Sequence, residues 1–155
     1  MDTIIRVNHS VSPVYVHLQN RTIEVLNKNL ECSGPSKYDI SLVKEQYYLT
    51  QESGGASGEN IYKFLKDNDL IKDQLGIADL LAIAAKGIVF FRKYFDNKQA
   101  FGWKSVVRRI AAGGKDILDV PALVERSGVA CVSWAPVDHH AVFGRHTPAL
   151  RFVNE

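Results

Sequence analysis

Apolar positions recur along this chain with two different spacings. Val14, Val16 and Leu18 alternate with Tyr15 and His17, and Ile23 and Val25 alternate with Thr22 and Glu24, which is the period of a half-buried strand. Gln19-Asn20-Arg21 supplies a turn between the two runs, so residues 3–26 predict a β-hairpin. Asn27-Lys28-Asn29 reads as a second turn and Cys32-Ser33-Gly34-Pro35 as a loop, because proline cannot donate to a ladder. Tyr38, Ile40 and Leu42 alternate again and predict a strand over 38–43.

From residue 59 the spacing lengthens. Ser57 is a candidate N-cap, and Ile61, Phe64, Leu65 and Ile71 supply the apolar side of a helix within 59–74. The segment 77–95 is the most apolar of the chain, with only Asp79 and Lys86 charged before Arg92. It is too short and interrupted to span a bilayer, which takes about 20 apolar residues, and predicts a buried central helix around which the rest packs. Trp103, Val106, Val107, Ile110 and Ala111 share one stripe, predicting a helix at 100–112 that Gly113-Gly114 stops. Asp119 as N-cap, Pro121 in the first turn and Gly128 after the end predict a short helix at 120–127. Val129 to Trp134 and Ala149 to Val153 read as strands, and Glu52 to Gly58 as a flexible loop or hinge. The expected fold is α+β: a small antiparallel β layer, from the N-terminal hairpin and the C-terminal strands, packed on about four helices.

Composition narrows the class. The 155 residues are 46% hydrophobic and 23% charged, enough apolar area for one domain over 1–155 and too much for a disordered chain. The net charge is +2, with −2 in residues 1–77 and +4 in residues 78–155. So small a surplus argues against nucleic acid, even though Lys104, Arg108, Arg109 and Lys115 cluster around Trp103. MDTIIRVNHSVSP lacks the basic start and long apolar run of a signal peptide, and the expected location is cytoplasmic. Neither GxGxxG nor GxxxxGK[ST] occurs, and no cofactor is expected.

Candidate chemistry concentrates in two places. Asp138-His139-His140 and His146 put three imidazoles and a carboxylate within nine positions, so Asp138, His139 and His146 are candidate metal ligands. Cys131 and Cys32 are candidate nucleophiles, with His139, His140 or His146 as the activating base and Asp138 as the orienting group. Glu31-Cys32-Ser33-Gly34 is similar, over those four residues, to the Cys-Ser-Gly opening of papain-like bacterial cell-wall endopeptidases, which implies a helix beginning at the cysteine and a later catalytic histidine. Pro35 and the alternation at 38–42 oppose that helix. The first expectation for function is therefore a non-enzymatic interaction or regulatory module, in which Lys104, Arg108 and Arg109 on the polar side of helix 100–112 meet a protein with an acidic surface. Self-association is a further expectation. A small cysteine- or metal-dependent hydrolase built from Cys131, Asp138, His139, His140 and His146 is the alternative. A membrane-active role for 77–95 comes last, since Asp79 and Lys86 would have to leave water.

Overall fold

Two strands joined by a tight turn, Asp116–Arg126 and Val129–Val137, are the longest strands among the described residues. They belong to a computed structural model that describes residues 1–9, 23–30, 33–110, 113–137 and 142–153. In chain order its elements are β1 (Ile4–Arg6), β2 (Ile23–Val25), β3 (Lys37–Asp39), β4 (Val43–Gln46), β5 (Ala56–Ser57), α1 (Gly58–Asp67), α2 (Ile77–Ala84), α3 (Ile88–Phe95), β6 (Ala100–Phe101), β7 (Val107–Ile110), β8 (Asp116–Arg126), β9 (Val129–Val137), β10 (Val142–Phe143) and β11 (Ala149–Phe152).

The architecture differs from the expected one. Seven strands form one curled, mixed sheet in the order β2-β7-β8-β6-β11-β4, with β9 on the other edge of β8. Strand outweighs helix, and three α-helices cover the sheet where four helices on a small β layer were expected. Residues 100–112 hold β6, a 3₁₀ turn at Trp103–Ser105 and β7 in place of a helix, and residues 120–127 lie in β8 and its turn. The sequence signal for β8 is the alternation Leu118, Val120, Ala122, Val124, three of which are fully buried. Its intervening residues Asp119, Pro121 and Leu123 are buried as well, so both faces of the strand are covered and the period is masked. Pro121 falls between the stretch of β8 that pairs with β7 (116–119) and the stretch that pairs with β6 (122–123), where its missing donor interrupts no ladder. Ser127 and Gly128, with φ of 52° and 78°, make the two-residue turn whose twist suits a hairpin; Gly128 serves that turn and closes no helix.

Alternation along the strands separates two cores. Val120, Ala122, Val124, Phe101 and Ala149 face a cluster with Ile61 and Leu65 of α1. Leu123, Ala100 and Leu150 face the opposite cluster with Leu80 and Ile83 of α2 and Phe90, Phe91 and Phe95 of α3. Ser57 caps α1 as its sequence suggests, its Oγ accepting from the Asn60 N–H at 3.1 Å. The apolar segment 77–95 is two helices of eight residues each, broken at Gly87 with φ 96°. It is one cover of the sheet, with Leu81 and Val89 exposed on its outer side, and the β8–β9 pair takes the central place expected of it. Among the described residues no helix is long and apolar enough to cross a membrane.

Residues 38–43 divide between β3, a 3₁₀ turn at Ile40–Leu42 and β4. The segment 52–58 includes β5, which pairs with β10. Within the expected N-terminal hairpin, residues 14–22 lie outside the described residues; β2 pairs with β7.

Candidate functional site

Of the candidate nucleophiles, bases and ligands singled out from sequence, only Cys131 and His146 are among the described residues. Cys32, Asp138, His139 and His140 lie outside the described residues. Among the described residues no group of three or more His, Cys, Asp or Glu side chains is placed to hold a metal ion. Cys131 sits on β9 opposite Val124, half-buried, its side chain packed on the α1-side core. His146 is exposed in the turn before β11.

The three cations expected to share a helix face have separate fates. Lys104 is 2% exposed, with Nζ donating to Ser33 Oγ at 3.4 Å and lying 6.0 Å from the centre of the Phe152 ring. Arg108, on β7, pairs across the ladder with Glu24, Nη1 to Oε2 at 3.0 Å. Arg109 points to the other face and donates through Nε to Asp119 Oδ2, a carboxylate 3% exposed. A strand sends consecutive side chains to opposite faces, so neighbouring arginines cannot act as one patch here.

A buried polar centre lies where α2 begins. Asp79 Oδ2 accepts from the Gly76 N–H at 3.0 Å and Oδ1 accepts from the Tyr38 hydroxyl at 2.9 Å, while Ser105 Oγ accepts from the Ile77 N–H at 2.8 Å. Two of the helix's orphan donors are thereby satisfied. Burial pushes the Asp79 carboxyl above its ordinary value, against the opposing pull of the Gly76 N–H, the Tyr38 hydroxyl, Lys104 and His9. Burial and the adjacent Asp79 carboxylate also push the Tyr38 hydroxyl upward. Perturbed groups of this kind often mark active sites. Here each of these three side chains is occupied in holding β3, α2 and the 3₁₀ turn at 103–105 together.

The opposite condition holds at a cleft of about 590 Å³ formed by three chain segments. These are residues 96–99 after α3, residues 124–127 at the β8–β9 turn, and His146–Thr147 before β11. The backbone ties the segments together: the Gln99 N–H donates to the His146 carbonyl at 2.8 Å, and the Phe101 N–H to that of Pro148 at 2.9 Å. Two ion pairs brace the walls. Arg92 on α3 grips Glu125 on β8 with Nε and Nη2 at 3.0 and 2.6 Å, and Lys98 Nζ lies 2.6 Å from Glu45 Oε2 on β4. Arg92 holds the Glu125 carboxyl below its usual range. Phe91 and Val124 give the cleft an apolar floor.

Within this frame Asp96, Asn97, Gln99, Ser127 and His146, all exposed, make no side-chain hydrogen bond among the described residues, which leaves a carboxylate, two carboxamides, a hydroxyl and an imidazole facing solvent around the cleft. Asn97 has a positive φ of 61°, a conformation that non-glycine residues adopt rarely, while the positive φ of Ser127 belongs to the hairpin turn. Of these residues the sequence had pointed to His146 alone. Asp96-Asn97 directly after the apolar run ending at Phe95 is a turn signature that marks where α3 stops, and it is the one local clue that could have led to the cleft. No family model, no curated protein and no solved structure matches this chain.

Proposed function

We propose that the protein is a binding module for a small, uncharged, hydroxyl-rich ligand, a saccharide unit, seated in the cleft between α3 and the β8–β9 turn. The observation that carries this reading is the set of five hydrogen-bonding side chains at the cleft that the chain leaves unused. The charged groups on its walls cancel: Lys98 and Arg126 stand against Asp96 and Glu125, which favours neither an anion nor a cation. Sugar hydroxyls both donate and accept, and so suit a carboxylate, two carboxamides and an imidazole together. Asp96 also sits at the C-terminal end of α3, where the helix dipole favours a donor. The cleft volume lies in the usual range for small-molecule sites, and the apolar floor suits the C–H face of a sugar ring.

The reading stays with a non-enzymatic binding protein but moves the docking element. An acidic partner on Lys104, Arg108 and Arg109 would have to reach a buried amine and compete with two carboxylates already paired to the arginines. Calorimetric titration with a panel of mono- and disaccharides tests the proposal. At least one sugar is expected to bind, and Asp96→Ala and His146→Ala are each expected to weaken it about tenfold, the loss of one or two hydrogen bonds. Absence of any binding sugar, or binding that both variants leave unchanged, removes the reading.

A further inference from the structure

A second pocket, of about 280 Å³, lies on β11 and β4 beside the 3₁₀ turn at Ile71–Asp73. Two backbone contacts set that turn against β11: Gln74 and Arg151 are antiparallel bridge partners, and the Leu75 N–H donates to the Leu150 carbonyl at 3.0 Å. Directly opposed residues of an antiparallel pair share a face, so the Gln74 and Arg151 side chains stand together. On the other flank of β11, Gln46 lies opposite Ala149, two positions from Arg151, and shares the same face. Tyr48 follows β4 and packs its ring on Phe64 of α1, with centroids 5.9 Å apart. Tyr48 and Gln74 are buried and form the inner end of the pocket, and the half-buried Gln46, Leu70, Asp73 and Arg151 surround its mouth.

Three polar groups here lack what they need. Gln74 is 0% exposed; its Nε2 donates to the Tyr48 hydroxyl at 2.8 Å, while its Oε1 has no hydrogen-bond partner. A buried carboxamide oxygen left unpaired is rare in a folded chain, because it gives up water without return. Arg151 is held from two sides, Nε donating to Gln46 Oε1 at 3.2 Å and Nη1 to the Phe152 carbonyl at 3.3 Å. Among the described residues its Nη2 has no partner and it forms no ion pair. The Asp73 carboxylate likewise accepts no hydrogen bond and forms no ion pair among the described residues. Burial pushes the Tyr48 hydroxyl above its ordinary value; the Gln74 bond and Arg151 pull it down, and Asp73 pushes it further up. Cation and anion thus both act on the inner end of one small pocket without meeting each other. A water molecule can satisfy Gln74, but it carries neither charge.

We propose that this pocket binds a free α-amino acid, with its carboxylate on the Nη1–Nη2 end of Arg151, its ammonium between Asp73 and Gln74 Oε1, and its side chain along Leu70. An ammonium group has three donors and no acceptor, which suits a carboxylate and a carboxamide oxygen side by side. A guanidinium fixed by its other nitrogens offers a carboxylate a preorganised fork. The volume lies just under the range of about 300–1,000 Å³ usual for drug-sized ligands, and Leu70 is the one aliphatic residue of the lining, so the amino acid is small and apolar.

Calorimetric titration with L-valine, L-leucine, L-isoleucine and L-methionine tests the proposal. At least one is expected to bind with a Kd below about 1 mM. Its N-acetyl derivative, which lacks the ammonium, and its carboxamide, which lacks the carboxylate, are each expected to bind about tenfold more weakly or worse. Asp73→Asn keeps the shape of a side chain that holds nothing else in place, and is expected to weaken binding about tenfold. No binding by any of the four up to about 10 mM, derivatives that bind as well as the parent, or an Asp73→Asn protein that binds it equally well overturns the proposal. The two pockets share no lining residue, so neither outcome bears on the sugar titration of the cleft.

Discussion

The polar groups at the start of α2 and those around the cleft are similar in kind and opposite in condition. Asp79, Tyr38 and Ser105 are buried, and each meets a partner supplied by the chain. Asp96, Asn97, Gln99, Ser127 and His146 are drawn together by three loops and make no side-chain hydrogen bond among the described residues. In the first region hydrogen-bonding capacity is spent on holding elements in place, and the pKa perturbation follows chiefly from burial. The second leaves that capacity unused among the described residues. A titratable group far from its ordinary pKa is therefore accounted for here by structural contacts, whereas the cluster of unused donors and acceptors at the cleft has no such account.

Substitutions can break or sharpen this contrast. The largest effect is expected at Arg109, because Arg109→Ala strands the buried Asp119 carboxylate; urea unfolding should show a loss of about 3–5 kcal/mol. Arg108→Ala, which removes an exposed pair with Glu24, should cost under about 1 kcal/mol. Similar losses at the two arginines would mean that the Asp119 pair is not what positions β7 on β8. Next comes Asp79→Ala, which leaves the Gly76 N–H and the Tyr38 hydroxyl without an acceptor in a buried place and should cost about 2–4 kcal/mol. By contrast Asp96→Ala and His146→Ala should leave stability within about 0.5 kcal/mol, and a substantial loss on either would place the cleft residues in the same structural class as Asp79.

The smallest expected effect is on pH dependence, and it has opposite signs in the two regions. Burial raises the Asp79 carboxyl in the folded chain, so the folded state binds that proton more readily than the unfolded one. Its contribution to stability accordingly falls as pH rises from the ordinary value of 3.8 through the folded value. Arg92 lowers the Glu125 carboxyl, so that contribution is present above the ordinary value of 4.5 and is lost as pH falls through the folded value. Unfolding of Asp79→Asn between pH 3 and pH 7 should lack the first component and keep the second. A pH profile identical to that of the unaltered protein would contradict the assignment of Asp79.

Parts of this structure were legible in the sequence and parts were concealed by its physics. The cap at Ser57 follows directly from the residue type, and β9 and β11 from short apolar runs. The stripe of Trp103, Val106, Val107 and Ile110 fits a helical period equally well, and only the long partner β8 decides it as a strand. β8 was hidden because alternation vanishes when both faces are buried, and Asp119-x-Pro121 together with Gly128 imitates the two ends of a helix. Gly87 was visible within 77–95, yet an apolar run gives no sign of where one helix becomes two. The cleft was the least legible feature, since it joins residues near 97, 126 and 146 that no spacing rule connects. His146 drew notice for its proximity to His139 and His140 in the chain, whereas its place in the cleft comes from the backbone bond to Gln99.

The most direct test of the account is a nitrogen-15 chemical-shift titration of the protein with the mono- and disaccharides of the panel. Shifts confined to residues 96–99, 124–127 and His146–Thr147, including the side-chain amides of Asn97 and Gln99, with Tyr38, Asp79 and Ser105 unmoved, are the predicted result. Shifts centred on the start of α2 with a silent cleft would contradict it.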